Sequence, residues 1–188
     1  MRIIAGTARG QTLQPPPDPT RPTMDRVRAA IFSSLGDAVP EARVLDLFAG
    51  SGGLGIEALS RGAASAVFVD MNPRCTQCVR ANLRKTSLQA LSIQTLDVFR
   101  FLDLYTPPNS FDLIFADPPY AKREGDRDFA AELLAHPSLG PALSPTGTFV
   151  LECHPSQLVE NPPGFALLKV KEYGETAVAY YVAEASCD

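Results

Sequence analysis

The chain has 188 residues, 45% of them apolar and 20% charged, which fits one folded domain and excludes global disorder. Seventeen basic side chains stand against 21 acidic ones, and the net charge of −4 excludes a histone-like polycation. It does not exclude an enzyme of nucleic acid, for which the distribution of charge matters more than the sum.

The predicted elements begin with Arg2–Leu13, which reads as a short hairpin: R-I-I-A, glycines at 6 and 10, then Q-T-L. Arg9 stands where the apolar run of a signal peptide belongs, so no export segment is expected. Residues 15–22 hold five prolines in eight positions. Proline fixes φ and has no amide hydrogen, so this stretch is an extended connector. A helix over Thr23–Leu35 follows, with Thr23 as N-cap and Val27, Ala30, Ile31 and Leu35 on one face. Residues 1–22 therefore read as hairpin and connector, and 23–188 as the main domain, the whole forming one globular unit.

From residue 43 strands and helices alternate. R-V-L-D-L-F (43–48) is a buried strand, followed by glycines and a helix Leu54–Arg61 that ends at Gly62. A-V-F-V-D (66–70) is the second strand, a helix covers 73–86, and L-S-I-Q-T-L (91–96) is the third strand. F-D-L-I-F-A-D (111–117) and T-F-V-L-E-C (148–153) are the fourth and fifth. Residues 133–151 lack charge but are interrupted by prolines and glycines, which excludes a membrane-spanning helix. F-A-L-L-K-V-K (165–171) and A-V-A-Y-Y-V (177–182) lie too close for a helix between them and form an antiparallel hairpin around Gly174. The pattern predicts an α/β fold with a mainly parallel seven-stranded sheet and an antiparallel C-terminal edge.

The first chemical signal is D-L-F-A-G-S-G-G-L-G, Asp46–Gly55. Gly50, Gly52 and Gly55 form G-x-G-x-x-G between a strand and a helix, which lets backbone approach a nucleotide-type ligand and points helix amides at it. Asp70 ends the next strand, where an acid typically holds ribose hydroxyls. NAD and S-adenosylmethionine both suit this arrangement. Asp46 favours the second, because an acid within the strand offers a partner to an ammonium group that NAD lacks. The other reading of Asp46 is a strand-end acid that caps the loop.

The second signal is D-P-P-Y, Asp117–Tyr120, directly after the fourth strand. Consecutive prolines stiffen the turn and remove competing amides, so Asp117 and nearby carbonyls can accept from a substrate amine. Tyr120 offers a flat face to a base. Such a grip would orient the amine for attack on a sulfonium methyl.

Charge is unevenly spread: residues 1–36 carry +3 and the rest −7. Arg2, Arg9, Arg21, Arg26 and Arg28, with Lys122 and Arg123 after Tyr120, are candidates for contact with RNA phosphates. Arg74, Arg80, Arg84 and Lys85 read as a solvated helix face. Cys75 and Cys78, at i and i+3 on the same helix, read as small buried apolar residues. Cys153 and Cys187 stand alone, and His136 and His154 have no partner pattern, so neither a metal site nor a disulfide framework is expected. That cysteine usage suits a reduced, cytoplasmic enzyme.

The glycine loop and D-P-P-Y together resemble the class I S-adenosylmethionine-dependent methyltransferases that act on amino groups. R-I-I-A-G-T-A-R-G-Q-T-L and R-P-T-M-D-R-V-R narrow the resemblance to the bacterial small-subunit (16S) ribosomal RNA guanine-N2 methyltransferases, the RsmD family. The resemblance extends through the closing G-E-T-A-V-A-Y-Y. It implies a Rossmann-like fold with S-adenosyl-L-methionine as cofactor. Thr23, Asp46, Phe48, Ala49, Gly50, Ser51, Gly52 and Gly55 would line that cofactor. Asp70 would hold the ribose, with Met71 against the adenine and Asn72 beside it. Asp97 and the Val98 amide would meet the adenine edge. Asp117, Pro118, Pro119 and Tyr120 would hold the guanine. The implied partner is 16S ribosomal RNA, within an assembled or assembling particle, met by a monomeric enzyme.

Two positions depart from the family pattern: Gly53 stands where alanine is expected, and Ala29 where glutamate often follows R-V-R. Aspartate rather than asparagine opens D-P-P-Y, which suits guanine-N2 members better than N6-adenine or protein-glutamine methyltransferases. The competing readings are those two methyl transfers, a nicotinamide-dependent dehydrogenase, and a non-catalytic RNA-binding assembly factor.

Overall fold

The structure, a computed structural model, describes residues 1–15, 25–121, 123 and 125–184. Arg21, Thr23, Lys122 and Cys187 lie outside the described residues, as do most of the proline-rich connector and the expected boundary at residue 22. The chain forms two compact units, Met1–Val98 and Phe99–Asp188.

In the first unit, α1 (Asp25–Leu35) buries Val27, Ile31 and Phe32. The strands β1 (Arg43–Leu47), β2 (Ser65–Asp70) and β3 (Ser92–Thr95) run parallel, with β2 in the middle. Between them lie α2 (Gly53–Ser60) and α3 (Pro73–Thr86). Parallel strands are covered on both faces, which is why R-V-L-D-L and S-A-V-F-V-D read as near-continuous apolar runs. Leu47 lies opposite Val69 and Asp70 opposite Thr95. All three strands therefore end at one edge, where the chain turns into the glycine loop, Met71 and Asp97.

Helix α2 is buried along almost its whole length, so it needs cover on every side. The N-terminal arm supplies part of it. The arm folds back as a hairpin, Ile3 N donating to Gln11 O (2.9 Å) and Leu13 N to Met1 O (3.0 Å). Only one bridge, Arg2 to Thr12, is regular, because the middle of the arm bonds to α2 instead. Ile4 N and Ala5 N donate to the Glu57 carboxylate at 2.8 and 3.1 Å. Ala8 N donates to Ser60 Oγ (3.0 Å), which donates to Ala5 O (2.6 Å). Ile3, Ala8 and Leu13 are buried. Gly6 permits this approach: a Cβ there would lie 1.7 Å from Ser60 O.

In the second unit, α4 (Val98–Tyr105), which begins on the boundary, precedes β4 (Phe111–Ala116). The short helices α5 (Phe129–Leu134) and α6 (Leu139–Ala142) then lead to β5 (Leu143–Cys153), β6 (Phe165–Tyr173) and β7 (Thr176–Ala183). β4 and β5 are parallel, and β7 pairs antiparallel with both β5 and β6. T-A-V-A-Y-Y is buried throughout, as a strand between two neighbours must be, while L-L-K-V-K-E is half-buried to exposed at the edge. The mainly parallel set of seven strands with an antiparallel C-terminal edge is the fold class that the sequence predicts. The sequence reading lacks α4, α5 and α6 and begins β5 five residues late. The 6-residue α5 and 4-residue α6 are too short to display a helical period, and a register shift between Phe111 and Leu113 interrupts the pairing beside the start of β5.

Gly6→Ala and Gly10→Ala both place a side chain at positive φ, but a Cβ at Gly10 meets nothing within 4 Å. Gly10→Ala should cost about 1 kcal/mol of stability, and Gly6→Ala at least about 2 kcal/mol more, in chemical denaturation.

Candidate active site

The glycine loop leaves β1 through Phe48 at φ +57 and continues through Gly50 (φ +54) and Gly52 (φ +80), the residue preceding α2. Gly50 and Gly52 adopt their left-handed φ freely, but Phe48 is strained there and needs anchoring. Ala49 N donates to Val69 O (3.0 Å) and Gly52 N to Ala49 O (2.7 Å). Asp70 Oδ2 accepts from Gly50 N and its Oδ1 from Asn72 N, both at 2.8 Å. Asp46 is 2% exposed, and its Oδ2 accepts from Gly55 N inside α2 at 2.9 Å. Both carboxylates thus bind backbone amides of the loop or its flanks. For Asp46 this is the capping arrangement that the sequence left as its second reading.

The glycines differ in purpose. A Cβ at Gly55 would lie 2.4 Å from the Phe68 ring and 3.0 Å from Asp46 Oδ2, so this glycine allows α2 to pack on the strands. A Cβ at Gly50 would meet nothing nearer than Phe48 O at 4.0 Å. Open space lies against its backbone, which is the room that a nucleotide-type cofactor needs for close approach. Met71 is 69% exposed beside it, a large apolar side chain on the strand-end edge. Asn72 caps α3, its side chain accepting from Arg74 N (2.9 Å), and Asp97 directly precedes α4. The described residues expected to hold the cofactor therefore gather along one edge of the first unit. That edge fits S-adenosylmethionine: open backbone at Gly50, acids on β1 and β2, and an exposed apolar side chain at Met71.

In the second unit, Asp117 follows β4, Pro118 is buried and Pro119 exposed. The Tyr120 hydroxyl donates to Glu152 Oε1 on β5 (3.0 Å) and pairs with Thr176 Oγ1 on β7 (3.1 Å). Burial, and then the negative charges of Glu152 and Asp117, push the Tyr120 phenol well above its ordinary value. It stays protonated and acts as a donor, not a base. The His154 ring meets the Tyr120 ring edge-on at 6.4 Å between centroids. Burial likewise pushes the Cys153 thiol up to about 12, with Asp128 and Glu152 adding to it, so this cysteine is inert. Cys75 and Cys78 are buried, as read.

Among the basic candidates, Arg2, Arg9, Arg26 and Arg123 are exposed. Arg28 is corrected: it is 0% exposed and holds the fold together instead of facing solvent. Its guanidinium donates to Arg2 O, pairs with Asp25 (2.9 Å) and lies 3.7 Å from Glu57. Sequence reasoning missed Glu57, Asn82 and Glu152. The available signal was a polar residue within an apolar face or run, such as Asn82 between Val79 and Leu83.

A model of the family described as Conserved hypothetical protein 95 matches residues 1–182. The Ribosomal RNA small subunit methyltransferase D of Haemophilus influenzae (strain ATCC 51907 / DSM 11121 / KW20 / Rd) is 30% identical over 184 residues, 96% of this chain and 93% of that protein. The protein YlbH of Bacillus subtilis (strain 168) is 36% identical over 185 residues, 96% and 98% of the two chains. Among solved structures, yhhF from Escherichia coli is similar with a TM-score of 0.82 and 33% identity, over 99% of each chain.

Arg28→Ala should lower unfolding free energy by about 3 kcal/mol, because it leaves the buried Glu57 charge without that guanidinium. Arg26→Ala, on the exposed side of α1, should change it by less than about 0.5 kcal/mol. Paired denaturation curves check both.

Proposed function

The chain belongs to the family described as Conserved hypothetical protein 95, the RsmD family, and from that membership we propose that it methylates the exocyclic N2 of a guanine in 16S ribosomal RNA. S-adenosyl-L-methionine is the proposed cofactor. The observation that carries the reading is the edge of the first unit, where Gly50 leaves open space against its backbone between strand-borne acids. The name of the Haemophilus influenzae relative supports the ribosomal RNA substrate. The aspartate that opens D-P-P-Y supports guanine over adenine.

When bound, S-adenosylmethionine supplies a methyl group on a sulfonium, already activated for displacement. The protein is left to hold and align. The Gly50 backbone and the α2 N-terminus would face the cofactor, Asp70 would accept from its ribose, and Met71 would lie against its adenine. An exocyclic amine is a weak nucleophile because its lone pair is delocalised into the ring. Asp117 and the Pro118 carbonyl would accept hydrogen bonds from its two N–H groups, which aims the lone pair at the methyl carbon, and the proton that the methylated amine sheds would pass to Asp117 or to solvent. Tyr120, fixed through its hydroxyl, gives the base a stacking surface worth about 1–3 kcal/mol. The base leaves its stack to reach these groups. Exposed Arg2, Arg9, Arg26 and Arg123, with Arg21 and Lys122, contact RNA phosphates, and the substrate is the assembled or assembling small-subunit particle.

Asp117→Ala should lower turnover at least about a hundredfold, while cofactor affinity by titration calorimetry stays unchanged. The assay uses small-subunit particles from a strain lacking the protein, followed by nucleoside digestion. N2-methylguanosine is expected; N6-methyladenosine, or near-wild-type turnover by the variant, overturns the reading. Arg9→Ala should reduce the slope of log affinity for ribosomal RNA against log salt by about one, as loss of one phosphate contact requires.

A further inference from the structure

Asn82 lies in the middle of α3 and is fully buried. A side-chain amide in that position needs partners, and its partners come from two segments distant in sequence. Its Oδ1 accepts from Gln14 N at 2.8 Å, and its Nδ2 donates to Gln14 O at 3.1 Å. Gln14 is thus gripped at both backbone groups, much as a neighbouring strand would grip it. The same Nδ2 donates to Ser51 O at 2.9 Å, in the centre of the glycine loop. One side chain joins the end of the N-terminal arm to the loop that faces the cofactor space.

Neighbours on α3 strengthen the grip on the arm. Cys78 Sγ lies 3.4 Å from Gln14 O and from Pro15 O. Lys85 Nζ donates to Thr12 O at 2.5 Å. On the loop side, the Ser51 carbonyl fixes the peptide plane leading into Gly52, which holds a left-handed φ. If the Ser51 carbonyl lost its donor, the loop would sample other conformations, and a ligand would have to order it on binding.

We propose that Asn82 is a positioning residue that couples the two segments: a held arm preorganises the glycine loop for its cofactor, and an occupied loop tightens the hold on the arm. Linkage makes the two effects reciprocal. The arm carries Arg2 and Arg9, so RNA contact there raises cofactor affinity through the same side chain. The proposal rests on the reading of the glycine loop as a cofactor site.

The test is amide hydrogen exchange on the full chain with and without S-adenosylhomocysteine, together with its affinity by titration calorimetry. In the wild type, the ligand should slow exchange at Gln14 and its neighbours in the arm as well as in the loop. In Asn82→Ala, saturating ligand should slow the loop only, and Kd should rise about tenfold, the effect of roughly one net hydrogen bond. Asn82→Leu keeps the volume of the side chain but has neither donor nor acceptor, and it should behave alike. It serves as the measurement if the alanine variant fails to fold. A purely structural Asn82 would lower the melting temperature yet leave the arm's response intact, and that result overturns the proposal. So does a wild-type arm that ignores the ligand while the loop responds. Absence of any binding to the wild type overturns the cofactor reading, and the coupling with it.

Discussion

Two carboxylates borne on adjacent strands hold the glycine loop from opposite ends, and the rest of the first unit is arranged around that hold. Asp46 reaches up from β1 to the Gly55 amide, and Asp70 reaches across from β2 to the Gly50 amide. Phe48, Gly50 and Gly52 all sit at positive φ, a conformation that is strained at Phe48 and only one of several open to the two glycines. Hydrogen bonds to ionised acceptors are roughly twice as strong as neutral ones, which is enough to offset the strain. The loop is therefore largely shaped before any ligand arrives, and only the remaining order falls on binding. Engagement with amides does not use up these acids, since a carboxylate has about four lone-pair sites. On the proposed reading, Asp70 can hold Gly50 and accept from a ribose hydroxyl at once.

The same logic explains the N-terminal arm. Helix α2 follows the glycine loop and is apolar nearly all round, so the chain must cover it. The arm does so with Ile3, Ala8 and Leu13, and its turned-in amides meet Glu57. Glu57 is fully buried and ionic, which is tolerable only because Arg61, Arg28 and two backbone amides surround it. The arm is thus a part of the fold, and the positive charge of the arm and α1 together is divided in function. Arg28 neutralises the interior, while Arg2, Arg9 and Arg26 remain at the surface.

What was legible in the sequence follows from locality. Continuous apolar runs announced β1, β2 and β4, the glycine spacing announced the loop, and the short gap between F-A-L-L-K-V-K and A-V-A-Y-Y-V announced an antiparallel hairpin at the C-terminal edge. Arg28 was misread because arginine is seldom buried, and its partner Glu57 lies 29 positions away. Asn82 and Glu152 were missed for the same reason. Each is satisfied by groups 31 to 68 residues away, so the local pattern shows a polar residue among apolar ones but not the partners that give it a role. The short helices α5 and α6 left only a stretch of prolines, glycines and leucines without period.

Tyr120 shows how such distant partners decide a residue's chemistry. Read from D-P-P-Y alone, its hydroxyl and its ring are both candidates for a role. Glu152 and Thr176 take up the hydroxyl, and burial beside Glu152 and Asp117 keeps it protonated far above neutral pH. A group so held cannot accept a proton from a substrate. What remains is the ring, which the two bonds anchor at its hydroxyl end. On the proposed reading the division of labour is then determined: Tyr120 places the base, and Asp117 with the Pro118 carbonyl acts on the amine. The C-terminal antiparallel strand has a corresponding purpose, because Thr176 at the start of β7 stands where β5 presents Glu152, and together they set the orientation of the tyrosine.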